Sequence, residues 1–435
     1  MGITSAMFSG VSGLNTNSKA MEVIGNNLAN TNTIGFKSSR AVFSDLLSSS
    51  VSGSGGTSQV GRGVGLSSVD KVLSQGTFES TSSGTDVAIE GDSFFVVSAL
   101  DDEMNYYTRA GAFSFDDDGY LVNSEGYVVQ GKAFDEDGNL IAGDASNIQV
   151  TDLGLSSAKA TTEVTFETNL DSNSELVNNA TFPNILPGDS DSYNYMTSCP
   201  VYDSLGEAHT ISVYWRLADE ATNTWEMGYT VDGVGTGAVP DQAIAIATPL
   251  DFDPSGLIDT NGDGNPDGNA DDPLEIALNI ADWGNGAALA QEITLKFNCT
   301  QYDSASVVIG QNQDGYAAGE LTEVAINSDG VVIASYSNGE QTSIAQLVLA
   351  KFQNPGGLAS AGSNLWEATT ESGTIRVGLP GDELGTIFTN SLEQSNVDMS
   401  LEFVKMITTQ RGFQANSKII STIDEMLSEL INLKR

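Results

Sequence analysis

The side chains best arranged for chemistry are the oxygens of one acidic loop. Asp259, Asn261, Asp263, Asn265 and Asp267 alternate along the chain, with Gly264 between them, as calcium-holding loops do. The twelfth position is Ala270 rather than a bidentate glutamate, although Asp271 and Asp272 follow, and no helical pattern flanks the loop. A solvated acidic turn is the favoured expectation, with calcium the one cofactor open to test. Cys199 and Cys299 are far apart, with no CxxC and no histidine cluster, so two separate buried thiols are expected, a single disulfide staying open. His209, the only histidine, reads as a packing or surface residue at the start of a strand. One histidine builds no Ser-His-Asp or Cys-His group. No phosphate-cradling glycine pattern occurs, and Gly61-Arg62-Gly63-Val64-Gly65 reads as a bend. The expectation is a protein that is not an enzyme and has no resident cofactor.

Charge narrows the partners. The chain of 435 residues carries a formal net charge of −41, which repels phosphate backbones and anionic lipid. Residues 1–40 balance at +2 and residues 390–435 at −1, which leaves −42 in residues 41–389. Near-neutral ends around an acidic middle fit ends that pack on other chains and a middle that faces water. That charge leaves no nucleic acid partner expected, and no membrane insertion is expected because no run of eighteen apolar residues exists. Residues 1–30 are interrupted throughout by Ser, Asn, Thr and Gly, so no cleavable signal peptide is read there.

The elements that position these groups follow from spacing. Ile3, Met7, Val11, Leu14, Ser18, Met21, Gly25 and Leu28 follow a 4-3-4-3 rhythm, with Ile24 beside it. Ile419, Ile423, Met426, Leu430 and Leu433 repeat it near the C-terminus, widened by Ile420, Leu427 and Ile431. Each end is predicted to be an amphipathic helix of about 30–40 residues, roughly 45–60 Å long. A lone amphipathic helix cannot bury its stripe, so the two are expected to pair, with everything between them leaving and returning to one place. Between them the pattern turns to β: 87–89, 94–97 and 113–115 are apolar runs, and Asp118-Gly119, Asp137-Gly138 and Asp329-Gly330 suggest type I′ hairpin turns. Residues 48–58, almost entirely Ser, Gly, Val and Thr, read as a flexible linker.

Four stretches, in order, resemble the flagellar rod and hook axial protein family. The run from Asn26-Asn27-Leu28 to Gly35-Phe36-Lys37 is similar to its N-terminal signature, and 86–95 to its first β-domain motif. Tyr107-Thr108-Arg109-Ala110-Gly111-Ala112-Phe113, then Asp118-Gly119 and Val129-Gln130-Gly131, continue that motif. Ser395-Asn396-Val397-Asp398 through Gln410-Arg411 and Gln414-Ala415-Asn416 resembles its closing helix. The insertion between about 150 and 320, with Pro200-Val201-Tyr202-Asp203-Ser204-Leu205-Gly206 and His209-Thr210, resembles the hook branch. Departures are Ser93, where the family often has glycine, and the acidic stretch 249–273, which leaves the outermost shape open.

The resemblance implies a mainly β, multidomain fold whose terminal α-helices pair as a coiled-coil-like core, with β-rich middle and outer domains inserted between them. The boundaries it implies are 1–40 with 395–435 (helical core), 41–70 with 375–394 (connecting region), 71–150 with 320–374 (inner β-domain) and 151–319 (outer β-domain). The function it implies is the structural subunit of an extracellular flagellar hook, exported by the flagellar type III apparatus, polymerising with itself and transmitting motor torque. Its implied partners are the distal rod, the hook cap, the hook-filament junction proteins and the export gate. Phe43 and Leu47, an aromatic and an aliphatic at i and i+4, are similar to an export-gate element; the alternative is one helical turn burying its apolar face. A secreted acidic calcium-binding adhesin would explain the charge and the loop, but not the spacing at both ends.

Overall fold

The computed structural model describes residues 2–53, 56–100, 102, 104–135, 138–150, 155–177, 181–219, 224–233, 242–259, 274–280, 283–288, 290–381 and 383–432. These include two α-helices, α1 (Gly2–Ala29) and α2 (Met399–Asn432), and are otherwise mainly β. The chain divides into a first unit of residues 1–153, 323–335 and 341–435, and a second of 154–322 and 336–340.

In the second unit, strand Glu163–Asp171 runs parallel to Gln291–Tyr302 and antiparallel to Val307–Gln313, with Leu274–Ile280 on the far edge. A parallel pair needs a long crossover. Here the intervening chain supplies it as a second sheet, the antiparallel meander Tyr195–Tyr202, Ala208–Asp219, Thr224–Val231 and Ile244–Asp251. Along Gln291–Tyr302 the residues Ile293, Leu295, Phe297 and Cys299 are buried while their neighbours are not. That period of two puts one strand face into the core. Phe297 stacks on Phe166 at 5.7 Å and meets Trp215 edge-on at 6.2 Å. Each fully buried side chain of this size contributes about 1.5–3 kcal/mol.

Both cysteines lie in this core as free thiols. Burial pushes Cys199 up to about 11 and Cys299 to about 12. At pH 8 the folded chain should therefore react with a thiol reagent roughly 100-fold more slowly than the unfolded chain. The unfolded thiols ionise first, so stability of this unit is expected to fall as pH rises from about 9 towards 11. Rapid labelling of either cysteine in the native chain would contradict this packing.

In the first unit, strand Phe94–Ser98 is buried on both faces. Phe95 and Val97 join a core with Val87, Phe113, Leu121 and Leu347, while Phe94 and Val96 join another with Tyr107, Phe352 and Trp366. The residues expected to form a linker fold differently. Ser39–Gly53 (β1) and Gly56–Lys71 (β2) form a long antiparallel hairpin, with Ser52 paired to Thr57 and Gly53 to Gly56. Backbone pairing provides what the small side chains cannot, and β2 is anchored to α1, where Val64 N donates to Ser12 Oγ at 3.2 Å. Gly61–Gly65 lies within β2, with Gly63 at φ 110° beside a register shift, so the expected bend is an irregularity in a strand.

The hairpin turns also differ from expectation. At Asp118-Gly119 and Asp329-Gly330 only the glycine takes positive φ, at 81° and 76°, whereas type I′ needs it at both residues. Asp116 Oδ1 accepts from Asp118 N at 3.1 Å and from Tyr120 N at 2.7 Å, and Asn327 Oδ1 does the same for Asp329 and Val331. The Asx side chain two residues before the Asp-Gly pair thus fixes an Asx turn with a glycine bulge. Asp137 lies outside the described residues.

Candidate functional site: the terminal helices and the junction beneath them

α2 starts where Asp398 Oδ1 accepts from Ser400 N and Leu401 N, an N-cap that satisfies two otherwise unpaired donors. It runs antiparallel to α1. A Cβ on Gly10 would stand 3.2 Å from Ile420, one on Gly13 2.6 Å from Asn416 Nδ2, and one on Gly412 2.9 Å from Asn17 Oδ1. At the far end Asn27 Nδ2 lies 3.4 Å from Glu402 Oε2. Glycines on both helices therefore permit an approach that any side chain would obstruct.

On α1 this contact uses a different row from the expected seam, whereas on α2 it includes Ile420, beside Gly10, and the buried Ile423 of the expected stripe. Gly10, Gly13, Thr16, Ile24 and Asn27 are buried on α1, each next to or near a seam position but rotated off it. Of the seam, Leu14, Met21 and Leu28 are half-buried, while Met7 is 44% and Val11 38% exposed. On α2, Ile423 is buried, whereas Ile419 and Met426 are exposed and Leu427 is 38% exposed. The side chains of Ile3 and Leu430, and all of Leu433, lie outside the described residues. Phe8, Leu401, Phe403, Val404 and Ile407 add to the uncovered apolar surface. Ala6, Ala415, Ile419, Thr422, Ile423 and Met426 line an apolar groove of about 540 Å³ between the helices. The inner row escaped sequence reading because glycine, threonine and asparagine leave no apolar rhythm. The recurrence of Gly10, Gly13 and Gly412 was the available signal.

Beneath the helices lies a junction that spacing could not reveal. Glu393 is fully buried; its Oε1 accepts from Lys37 Nζ at 2.6 Å and Gly76 N at 2.8 Å, and its Oε2 from Arg109 Nη1 at 3.4 Å. Lys37 Nζ also donates to Ser74 O, and Arg109 Nη2 to Gly91 O. Burial pushes both cations below their ordinary values, with Glu393 pulling each back. Gly35 has φ 67° and its Cβ would stand 2.6 Å from Ala110 N, so the glycine before Phe36-Lys37 is required by conformation and by space. Asn27 brackets Ser39 through both its N–H and its C=O, and Asn396 ties Ser38 N to Val72 O. The asparagine signature, the Arg109 segment and the start of the closing helix thus meet at one buried ion cluster.

Phe43 lies on β1 and is 40% exposed, so a helical turn there is replaced by a strand; Leu47 is in the same strand, its side chain outside the described residues. Asp259 is buried, its N–H donating to Asp251 O, while Asn261, Asp263, Asn265 and Asp267 lie outside the described residues. Among the described residues no helix is long and apolar enough to cross a membrane.

Terminal helices with a β-rich middle fit the architecture of an axial flagellar protein, and four family profiles match the chain. Residues 7–37 match "Flagella basal body rod protein", 88–179 "Flagellar hook protein FlgE/F/G D1 domain", 169–316 "Flagellar basal body protein FlaE D2 domain", and 389–433 "Flagellar basal body rod FlgEFG protein C-terminal". The flagellar hook protein FlgE of Borreliella burgdorferi is 35% identical over 99% of this chain and 99% of its own. That of Escherichia coli K12 is 35% identical over 98% of each. The chain belongs to the flagellar hook protein FlgE family. The crystal structure of Helicobacter pylori FlgE2 is similar in fold, with TM-score 0.50 and 15% identity over 73% of this chain and 99% of that one.

Proposed function

We propose that this chain is the structural subunit of the bacterial flagellar hook, a flexible extracellular tube that carries motor torque to the filament. The observation that carries the reading is the row of uncovered apolar residues on α1 and α2, on a chain matched over its whole length by hook proteins. In the polymer the paired helices form a coiled-coil-like core, and neighbouring copies cover Met7, Val11, Val404 and Leu427. The inner β-domain (71–150 with 320–374) and the outer one (151–319) form shells outside that core, reached through a connecting region of 41–70 with 375–394. Shell contacts slide during bending while the core holds. The distal rod, hook cap and hook-filament junction proteins meet the ends of the tube.

The subunit travels unfolded through the flagellar type III exporter, with Phe43 and Leu47 engaging the export gate. A passenger fused to residues 1–50 should be secreted, and Phe43→Ala should cut secretion at least tenfold while the intracellular protein stays soluble. Secretion that persists without the flagellar exporter would defeat this assignment. Calcium at Asp259–Asp272 is a separate proposal. Millimolar calcium should raise the melting temperature, and Asp263→Ala should remove that rise; a melting temperature indifferent to calcium and chelator favours a solvated turn.

A further inference from the structure

Among the described residues, the second unit holds a further cluster of chemically capable groups. Strand Ala208–Asp219 begins directly after the turn 203–207, and this brings Asp203, Glu207 and His209 together. One ligand atom from each lies within 4.8 Å of the other two. The turn is fixed by its own backbone, because Asp203 Oδ1 accepts from Leu205 N at 2.8 Å and from Glu207 N at 2.9 Å. That leaves Oδ2 facing His209.

His209 is 6% exposed, and its ring stacks on Trp283 with centroids 4.1 Å apart, which holds the ring plane. Its Nδ1–H donates to Asp232 Oδ2 at 2.7 Å. Nε2 is buried with no hydrogen-bond partner and stands 3.5 Å from Asp203 Oδ2. With the proton on Nδ1, Nε2 presents a lone pair towards a carboxylate oxygen. Two acceptors facing each other in a buried space repel unless a proton or a metal ion lies between them, and a 3.5 Å gap with no hydrogen bond across it fits the ion. A carboxylate on one imidazole nitrogen and an open lone pair on the other is the arrangement that orients histidine metal ligands.

We propose that His209 Nε2, Asp203 Oδ2 and the Glu207 carboxylate bind a divalent transition-metal ion, zinc being the best match. Bonds of about 2.0–2.1 Å in a tetrahedral site place neighbouring ligand atoms about 3.3–3.4 Å apart. The Asp203–His209 spacing of 3.5 Å is already close to that edge. Glu207 is exposed and can swing to close the third side, leaving the fourth position to water. Asn285 Nδ2 donates to Asp203 Oδ2 and to Glu207 Oε2, and each ionised oxygen keeps a further lone pair for the metal. An imidazole nitrogen beside two carboxylates suits zinc, whereas calcium selects oxygen-only sites. The bound ion fastens the turn to the strand and stiffens this edge of the unit.

The test uses the untagged full chain, stripped with chelator and titrated with zinc chloride, with calcium chloride in parallel. Because the chain has one histidine, its imidazole nitrogens give an unambiguous NMR signal. Zinc should bind at one equivalent with Nε2 moving to a metal-bound shift and Nδ1 staying protonated, while calcium leaves the ring unchanged. H209Q should abolish that site. E207Q, at an exposed position that leaves packing intact, removes a charged ligand and should weaken binding by at least the roughly 10–100-fold that loss of an outer-shell partner costs. A ring that carries both protons and does not respond to saturating zinc would overturn the proposal. So would zinc binding of wild-type strength in E207Q. If H209Q fails to fold, the wild-type ring signal and E207Q decide the matter alone.

Discussion

Val404→Asp and Leu427→Asp should each abolish polymerisation while leaving the monomer's melting temperature unchanged. Val404 is 58% and Leu427 38% exposed in the single chain, so a carboxylate at either place stays hydrated before assembly. In a tube whose neighbours cover these positions the same carboxylate is buried against apolar side chains with no cation opposite. The penalty is several kcal/mol per buried charge and recurs at every subunit. Sedimentation should find only monomer under conditions that polymerise the parent chain. Tubes of normal length from either variant would show that these faces are not the contacts.

Glu393→Gln should destabilise the first unit by about 3–5 kcal/mol, because it leaves the buried Lys37 and Arg109 without their counter-charge. Glutamine keeps the size of the side chain, so the loss reports charge rather than a cavity. Amide exchange should accelerate around 35–40, 72–76, 107–111 and 390–396, the segments that meet at this carboxylate. Strands Ala208–Asp219 and Gln291–Tyr302 belong to the second unit and should keep their protection. An unchanged melting temperature would mean that the cluster contributes nothing net to the fold.

The two helices were legible because an apolar stripe repeating every three to four residues matches the helical period and no strand period. Asp398 also marks the start of α2 with an ordinary cap. Which face of each helix meets the other was not legible. Gly10, Gly13 and Asn416 pack by the absence of side chains and by polar contact, beside Ile420 and Ile423 of the α2 stripe, while Met7 and Val11 of the α1 seam stay uncovered in the single chain. The β1–β2 hairpin was hidden for a related reason: its order comes from backbone pairing, and a Ser/Gly composition looks the same in a strand as in a linker. The Asp-Gly pairs alone suggest type I′ turns, although Asp116 and Asn327, two residues earlier, decide the geometry. Lys37, Arg109 and Glu393 are so distant in sequence that only the fold joins them, even though the first two lie inside motifs that carry the family resemblance. His209 reads from sequence as a packing or surface residue, and in the fold it stacks on Trp283. The state of its other nitrogen depends on Asp232, which sequence order does not bring near.

Whether the uncovered terminal helices build this chain into a tube is tested most directly by electron microscopy of the purified chain after salt-induced polymerisation. The expected result is short, curved, hollow tubes whose innermost wall, at sufficient resolution, is built from α1 and α2. Monomers at every salt concentration, or tubes whose inner wall is built from the β-strands of the second unit, would contradict it.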